Sequence, residues 1–93
     1  MSLVLQGPHG TITVTEPVLV RIATHAAEGV DGVRVRRKRS VDIEARSVRL
    51  ELAARRGEAL TVQGERVQEA VAAAFAAACG IEVTVDVAFE ELA

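Results

Sequence analysis

At 93 residues the chain has the length of one small domain, and its single cysteine, Cys79, excludes an internal disulfide and any multi-cysteine metal site. Apolar residues make up 49% of it but aromatics only 2%, so the core must be assembled from Val, Leu, Ile and Ala, with Phe75 and Phe89 as its largest pieces. Small side chains bury little area each, at about 25 cal/mol per Å², which implies modest stability unless a partner or a second copy adds buried surface, and a formal charge of −2 gives the whole molecule no general attraction to nucleic acid.

Residues 1–9 show no period and run into Gly7-Pro8-His9-Gly10, which reads as a flexible lead-in or turn. Thr11 to Thr15 alternates polar and apolar positions with β-branched residues, predicting a strand with Ile12 and Val14 turned inward. Thr15 can cap a helix, Glu16 suits the positive end of its dipole, and Pro17 suits its first turn. Val18, Leu19, Ile22, Ala23 and Ala26 form the apolar stripe of that helix. Gly29 is placed to end it in a left-handed conformation.

Gly32 to Lys38 sets Val33 and Val35 against Arg34 and Arg36, a short half-buried strand. Val41 and Ile43 mark a second strand, and Ala45-Arg46-Ser47 a tight turn. Val48, Leu50, Leu52 and Ala54 then alternate with Arg49, Glu51 and Arg55, the clearest strand pattern in the chain. These segments follow one another too closely for crossovers, which predicts an antiparallel meander. Arg56-Gly57-Glu58 breaks the pattern. From Thr61, Val67, Val71, Ala74, Phe75 and Ala78 recur at three- and four-residue spacing on a helix that ends at Cys79, with Gly80 as its stop. Ile81, Val83, Val85, Val87 and Phe89 then alternate with polar positions that include Glu82, Asp86 and Glu90, a closing strand with one acidic face. A strand–helix–strand unit of this kind places its two strands in parallel.

Each strand carries one apolar face, so the sheet is covered on one side and both helices lie there. The predicted architecture is a two-layer α+β domain over residues 10–92, with a mixed sheet of about five strands in the order β-α-β-β-β-α-β. No signal peptide is visible and no apolar run approaches the ~20 residues of a membrane span. The chain therefore reads as cytoplasmic and soluble, without direct membrane insertion.

The charge is unevenly spread. Between Arg34 and Arg56 stand nine basic and three acidic residues, a local +6, which leaves −8 on the remainder. The run Arg34, Arg36, Arg37, Lys38 and Arg39 is the candidate interaction patch. It could meet nucleic-acid phosphate, anionic lipid or an acidic protein. Its plainer reading is a solvated strand face whose charges discourage edge-to-edge pairing. Nucleic-acid binding lacks stacking support, because Trp and Tyr are absent and both Phe residues lie on apolar faces. No Gly-x-x-Gly loop flanked by helices supports a KH-type site.

The order and spacing of several motifs point to one family. They are Gly10-Thr11-Ile12-Thr13-Val14; Ile22-Ala23 and Ala26-Ala27; Gly29-Val30-Asp31-Gly32-Val33; Val48-Arg49-Leu50-Glu51-Leu52; Arg66-Val67-Gln68-Glu69-Ala70-Val71; and Val83 to Val87. Together they resemble the alkaline-shock-protein family of bacterial envelope stress response proteins, over Gly10 to Leu92. The chain departs from that pattern at Arg55-Arg56-Gly57, where the family often has an aromatic residue before Gly. The resemblance implies a non-enzymatic cytoplasmic protein that acts through protein–protein contacts in cell-envelope stress homeostasis. It also implies a tendency to self-assemble and, in some members, recruitment to the membrane by an anchored partner.

The remaining chemically capable residues form no constellation. Cys79 at a helix end lies near carbonyls rather than an activating N-terminus, and fits a small core residue better than a nucleophile. His9, His25 and Cys79 match no zinc-ligand spacing. Asp42 and Glu44 fit neutralisation of the nearby arginines better than a catalytic carboxylate pair. Gly57 and Gly64 are isolated, so no phosphate-cradling loop is present. No catalytic residue, metal or cofactor is expected, and a small nucleic-acid-binding domain using Arg34 to Arg39 is the alternative to the interaction protein.

Overall fold

The computed structural model describes residues 2–36, 41–44, 46–55 and 59–92, and shows a two-layer α+β arrangement. Its centre is β5, Ser47–Ala54. The alternation read from the sequence decides its two faces: Val48, Leu50, Leu52 and Ala54 are buried, while Arg49 between them is exposed. Both edges of β5 are used. On one, β6 (Thr84–Leu92) runs parallel, with Val48 beside Val85, Leu50 beside Val87 and Leu52 beside Phe89, and a bulge follows Leu52. On the other, β3 (Val33–Val35) and β4 (Val41–Glu44) both run antiparallel to β5.

The expected meander is altered at this second edge. β3 and β4 do not pair with each other but occupy successive stretches of the same β5 edge. β3 ends opposite Leu52 and β4 begins opposite Leu50, so only Glu51 separates the two pairings. Both strands run antiparallel to β5, so they follow one another in the same direction along that edge. The Arg36 N–H still donates to the Glu51 carbonyl, at 3.5 Å.

Two helices cover the buried face. α1, Glu16–Glu28, packs Leu19, Ala23 and Ala27 into the core, and α2, Leu60–Cys79, packs Val67, Val71 and Phe75. The α1 stripe is rotated from the expected one. Val18 is 48% exposed and Ala27 replaces it inside, because i, i+4, i+8 spacing from Leu19 faces β3 and β4. Thr15 holds the extended conformation of a cap, but only its carbonyl acts, accepting from the N–H groups of Val18 and Leu19.

Helix ends also differ from expectation at one position. Gly29 remains right-handed, at φ −72° and ψ −16°, and its N–H donates to the carbonyls of His25 and Ala26. The left-handed turn comes three residues later at Gly32, φ +79°, between the Val30 N–H, which donates to the Ala27 carbonyl, and the Val33 N–H, which donates to the Val30 carbonyl. Gly80 behaves as expected, left-handed with its N–H donating to the Ala76 carbonyl.

The N-terminal segment is structured rather than a lead-in. β1, Leu3–Gly7, and β2, Gly10–Val14, form an antiparallel hairpin closed at Pro8 and His9. This hairpin is a separate two-stranded sheet, so the strand expected in the main sheet lies outside it and the main sheet has four strands. With both edges of β5 occupied, β2 takes β1 as its partner instead. Leu3, Leu5 and Val14 lean on the core, whereas Ile12, expected inside, is 53% exposed. Among the described residues no helix is long and apolar enough to cross a membrane.

Candidate interaction surface

The uncovered face of the main sheet follows from strand alternation. Val33, Val35, Leu52 and Ala54 point into the core, so Arg34 on β3 and Arg55 just after β5 are turned outward, and both are exposed. Arg36 follows the same alternation one step beyond β3 and is half-buried. The registry sets Arg34 opposite Ala53, whose small side chain leaves the space beside it open.

These arginines line one open groove of about 500 Å³ together with Glu28, Asp31 and Gly32. Two backbone contacts fix its walls. The Val35 N–H donates to Glu28 Oε2 at 3.1 Å, tying β3 to the end of α1. The Arg55 N–H donates to the Gly32 carbonyl at 2.8 Å, extending the β3–β5 ladder by one step. Gly32 cannot readily be another residue here, because a Cβ would lie 2.9 Å from Gln63 Nε2 and 3.3 Å from Arg55 Cβ. The turn that brings α1 back to β3 thus also sets the edge of the groove.

Of the predicted patch, the structure places Arg34 and Arg36 in this groove. Arg37, Lys38 and Arg39 lie outside the described residues. Arg55 joins them, though it is some twenty positions away in the chain, and the strand pairing rather than the basic run brings it there. Its signal in the sequence was the outward phase of the β5 alternation. Glu28 and Asp31 also reach the rim, so the groove is mixed, with three cations and two carboxylates able to engage a partially acidic surface.

The other candidates remain apart. The β4–β5 register sets Asp42 opposite Arg49 and Glu44 opposite Ser47. His25 is in the last turn of α1, His9 in the hairpin turn and Cys79 at the end of α2. Burial pushes the Cys79 thiol above its ordinary pKa, the opposite of an activated nucleophile. Among the described residues no three His, Cys, Asp or Glu side chains gather as a metal site would require.

Sequence reading also missed Gln63, which is fully buried at the head of the α2 stripe, four residues before Val67. Its Nε2 donates to the Asp31 carbonyl at 3.4 Å, and its Oε1 meets no donor among the described residues. The chain was compared with models of protein families, with curated proteins and with solved structures, and none of the three gave a match.

Proposed function

We propose that this chain is a non-enzymatic interaction protein of the alkaline-shock type, acting in cell-envelope stress homeostasis. It works in the cytoplasm through protein–protein contacts and reaches the inner face of the membrane by way of an anchored partner. The observation that carries the contact surface is the groove in which Arg34, Arg36 and Arg55 converge beside Gly32. The motif order from Gly10 to Val87 supports the family assignment.

The test is photo-cross-linking in a bacterial host under envelope stress, with the cross-linker placed at Ala53 on the floor between the arginines. A membrane-fraction protein is expected in the adduct, and Arg34→Glu with Arg55→Glu should remove it. Adducts to ribosomes or RNA alone would overturn the reading.

The same arginines fit phosphate, which makes a small nucleic-acid-binding domain the second reading. Phe75 is buried and Phe89 lies by α2 rather than in the arginine groove, so base stacking has no platform beside the arginines and such binding would be purely electrostatic. It should then appear at about 50 mM salt and collapse steeply as salt rises.

A further inference from the structure

We propose that the free edge of β6, with the groove between it and α2, receives an extended basic segment of a partner protein as an additional strand. This surface is distinct from the arginine groove, and the inference does not depend on the envelope reading.

The backbone is the first argument. β6 is nine residues long and pairs only with β5, and no strand occupies its other edge among the described residues. The Thr84 N–H donates to the Arg46 carbonyl at 2.9 Å, which fixes the phase. Thr84, Asp86 and Ala88 direct their backbone groups toward β5, and Val85, Val87 and Phe89 direct theirs outward. Gln68 confirms that phase, since its Nε2 donates to the Val85 carbonyl at 2.9 Å. The α2 side chain therefore covers the first outward carbonyl, and the backbone groups of Val87 and Phe89 come next along the edge.

The groove is the second argument. An open depression of about 330 Å³ runs between α2 and this edge, lined by Leu60, Gly64, Gln68, Val87 and Phe89, with Glu65 also on its wall. Gly64 keeps it open. A Cβ there would lie 3.5 Å from Phe89 Cε2, so any larger side chain would grow into the space that an incoming residue needs. Addition of a strand to an exposed edge takes affinity from the backbone and specificity from alternate side chains. Here one set of those side chains would enter the groove over Val87 and Phe89.

Charge selects the occupant. From Glu65 to Glu91 the chain has six acidic residues, at 65, 69, 82, 86, 90 and 91, and one basic residue, Arg66. Glu65 stands on the groove wall, and Asp86 and Glu90 are exposed on the opposite face of β6, where Asp86 has Arg49 of β5 beside it and Glu90 stands on the side away from the arginines. An added strand would meet carboxylates on both of its faces, which favours lysine or arginine alternating with apolar residues. The same carboxylates oppose self-pairing of β6 about a two-fold axis through Ala88, which would set Asp86 against Glu90.

The test uses the full chain labelled with ¹⁵N and a short synthetic peptide of alternating valine and lysine. Its controls are the valine–glutamate peptide and a valine–lysine peptide carrying a central proline, which cannot complete a ladder. The valine–lysine peptide is expected to shift the amides of Val87 and Phe89, and the two controls are not. Gly64→Leu, which raises helix propensity while filling the groove, should weaken binding by about tenfold or more, as should Glu65→Lys with Asp86→Lys. Retained Gly80 and Leu50 amide signals in each variant verify the fold. Equal binding of acidic and basic peptides, shifts confined to the Arg34 groove, or binding indifferent to Gly64→Leu would overturn the proposal. Concentration-dependent dimerisation that occupies the same edge would also overturn it, by making a second copy the occupant.

Discussion

The buried amide of Gln63 and the bare backbone of Gly32 are fitted to each other: Nε2 stands 2.9 Å from where a Cβ on residue 32 would be. The two residues belong to different layers, α2 and the turn into β3, and the contact locks the turn that positions Arg34 and Arg55. Gly32→Ala meets two costs at once. The left-handed φ of +79° strains an L residue by about 1–3 kcal/mol, and a Cβ would push the Gln63 amide off its 3.4 Å bond to the Asp31 carbonyl. Urea unfolding should show a lower midpoint with an unchanged slope. Gly32→Asn should lie between wild type and Gly32→Ala, since asparagine tolerates this backbone region better. An alanine variant as stable as wild type would show that the turn relaxes freely.

Gln63 itself carries a cost in the native protein. Its Oε1 is buried without a donor among the described residues, and its one donated bond, at 3.4 Å, is long. Replacing such a group by an apolar side chain of similar size is close to neutral or stabilising. Gln63→Leu should therefore change the unfolding free energy by no more than about 1 kcal/mol, in either direction. Gln63→Ala should lose about 2 kcal/mol or more, because it opens a cavity beneath Gly32. A large loss in the leucine variant, measured in the same urea titration, would mean that the amide makes a bond essential to the fold.

The contrast between these residues and the rest of the core explains what the sequence could disclose. β5 was legible because every second residue from Val48 to Ala54 is apolar and the strand is covered on one face only. α2 was legible for the same reason at helical spacing, and Gly80 for its place after Cys79. Gln63 was not, because a polar residue at a stripe position looks like the end of the stripe. The β1–β2 hairpin was not, because Leu3-Val4-Leu5 has too little alternation to announce a strand before its partner is known. The pairing of β3 and β4 along one edge of β5 was also hidden, since it depends on which long-range partner wins. Two of the groove's three arginines, Arg34 and Arg36, were readable as the start of a basic run. Arg55 entered it only through the β3–β5 register.

On the outer sheet face, register makes a prediction about charge. The β5–β6 pairing sets Arg49 beside Asp86. Cross-strand opposite charges contribute about 0.2–1 kcal/mol per pair, and like charges destabilise comparably. Arg49→Glu should lower the melting temperature, and added salt should recover part of the loss by screening. Arg21→Glu, on the solvent side of α1 and away from Asp86, should show a smaller change. Equal, salt-independent effects of the two substitutions would show that the register contributes nothing electrostatically.

Cys79 offers a pH test with little background. Burial favours its neutral thiol in the folded state and raises its pKa. The stability this contributes is present below the unfolded-state pKa and is lost as pH rises through the higher folded value. The chain has no tyrosine and only one lysine, so few other side chains titrate in that alkaline window. Wild type should lose stability on going from neutral to moderately alkaline pH more steeply than Cys79→Ala does, in paired urea titrations. Iodoacetamide should label the folded protein more slowly than the urea-unfolded one at equal pH, because less thiolate is present. Parallel pH slopes for wild type and Cys79→Ala, or faster labelling of the folded protein, would show a thiol activated rather than suppressed by its place at the end of α2.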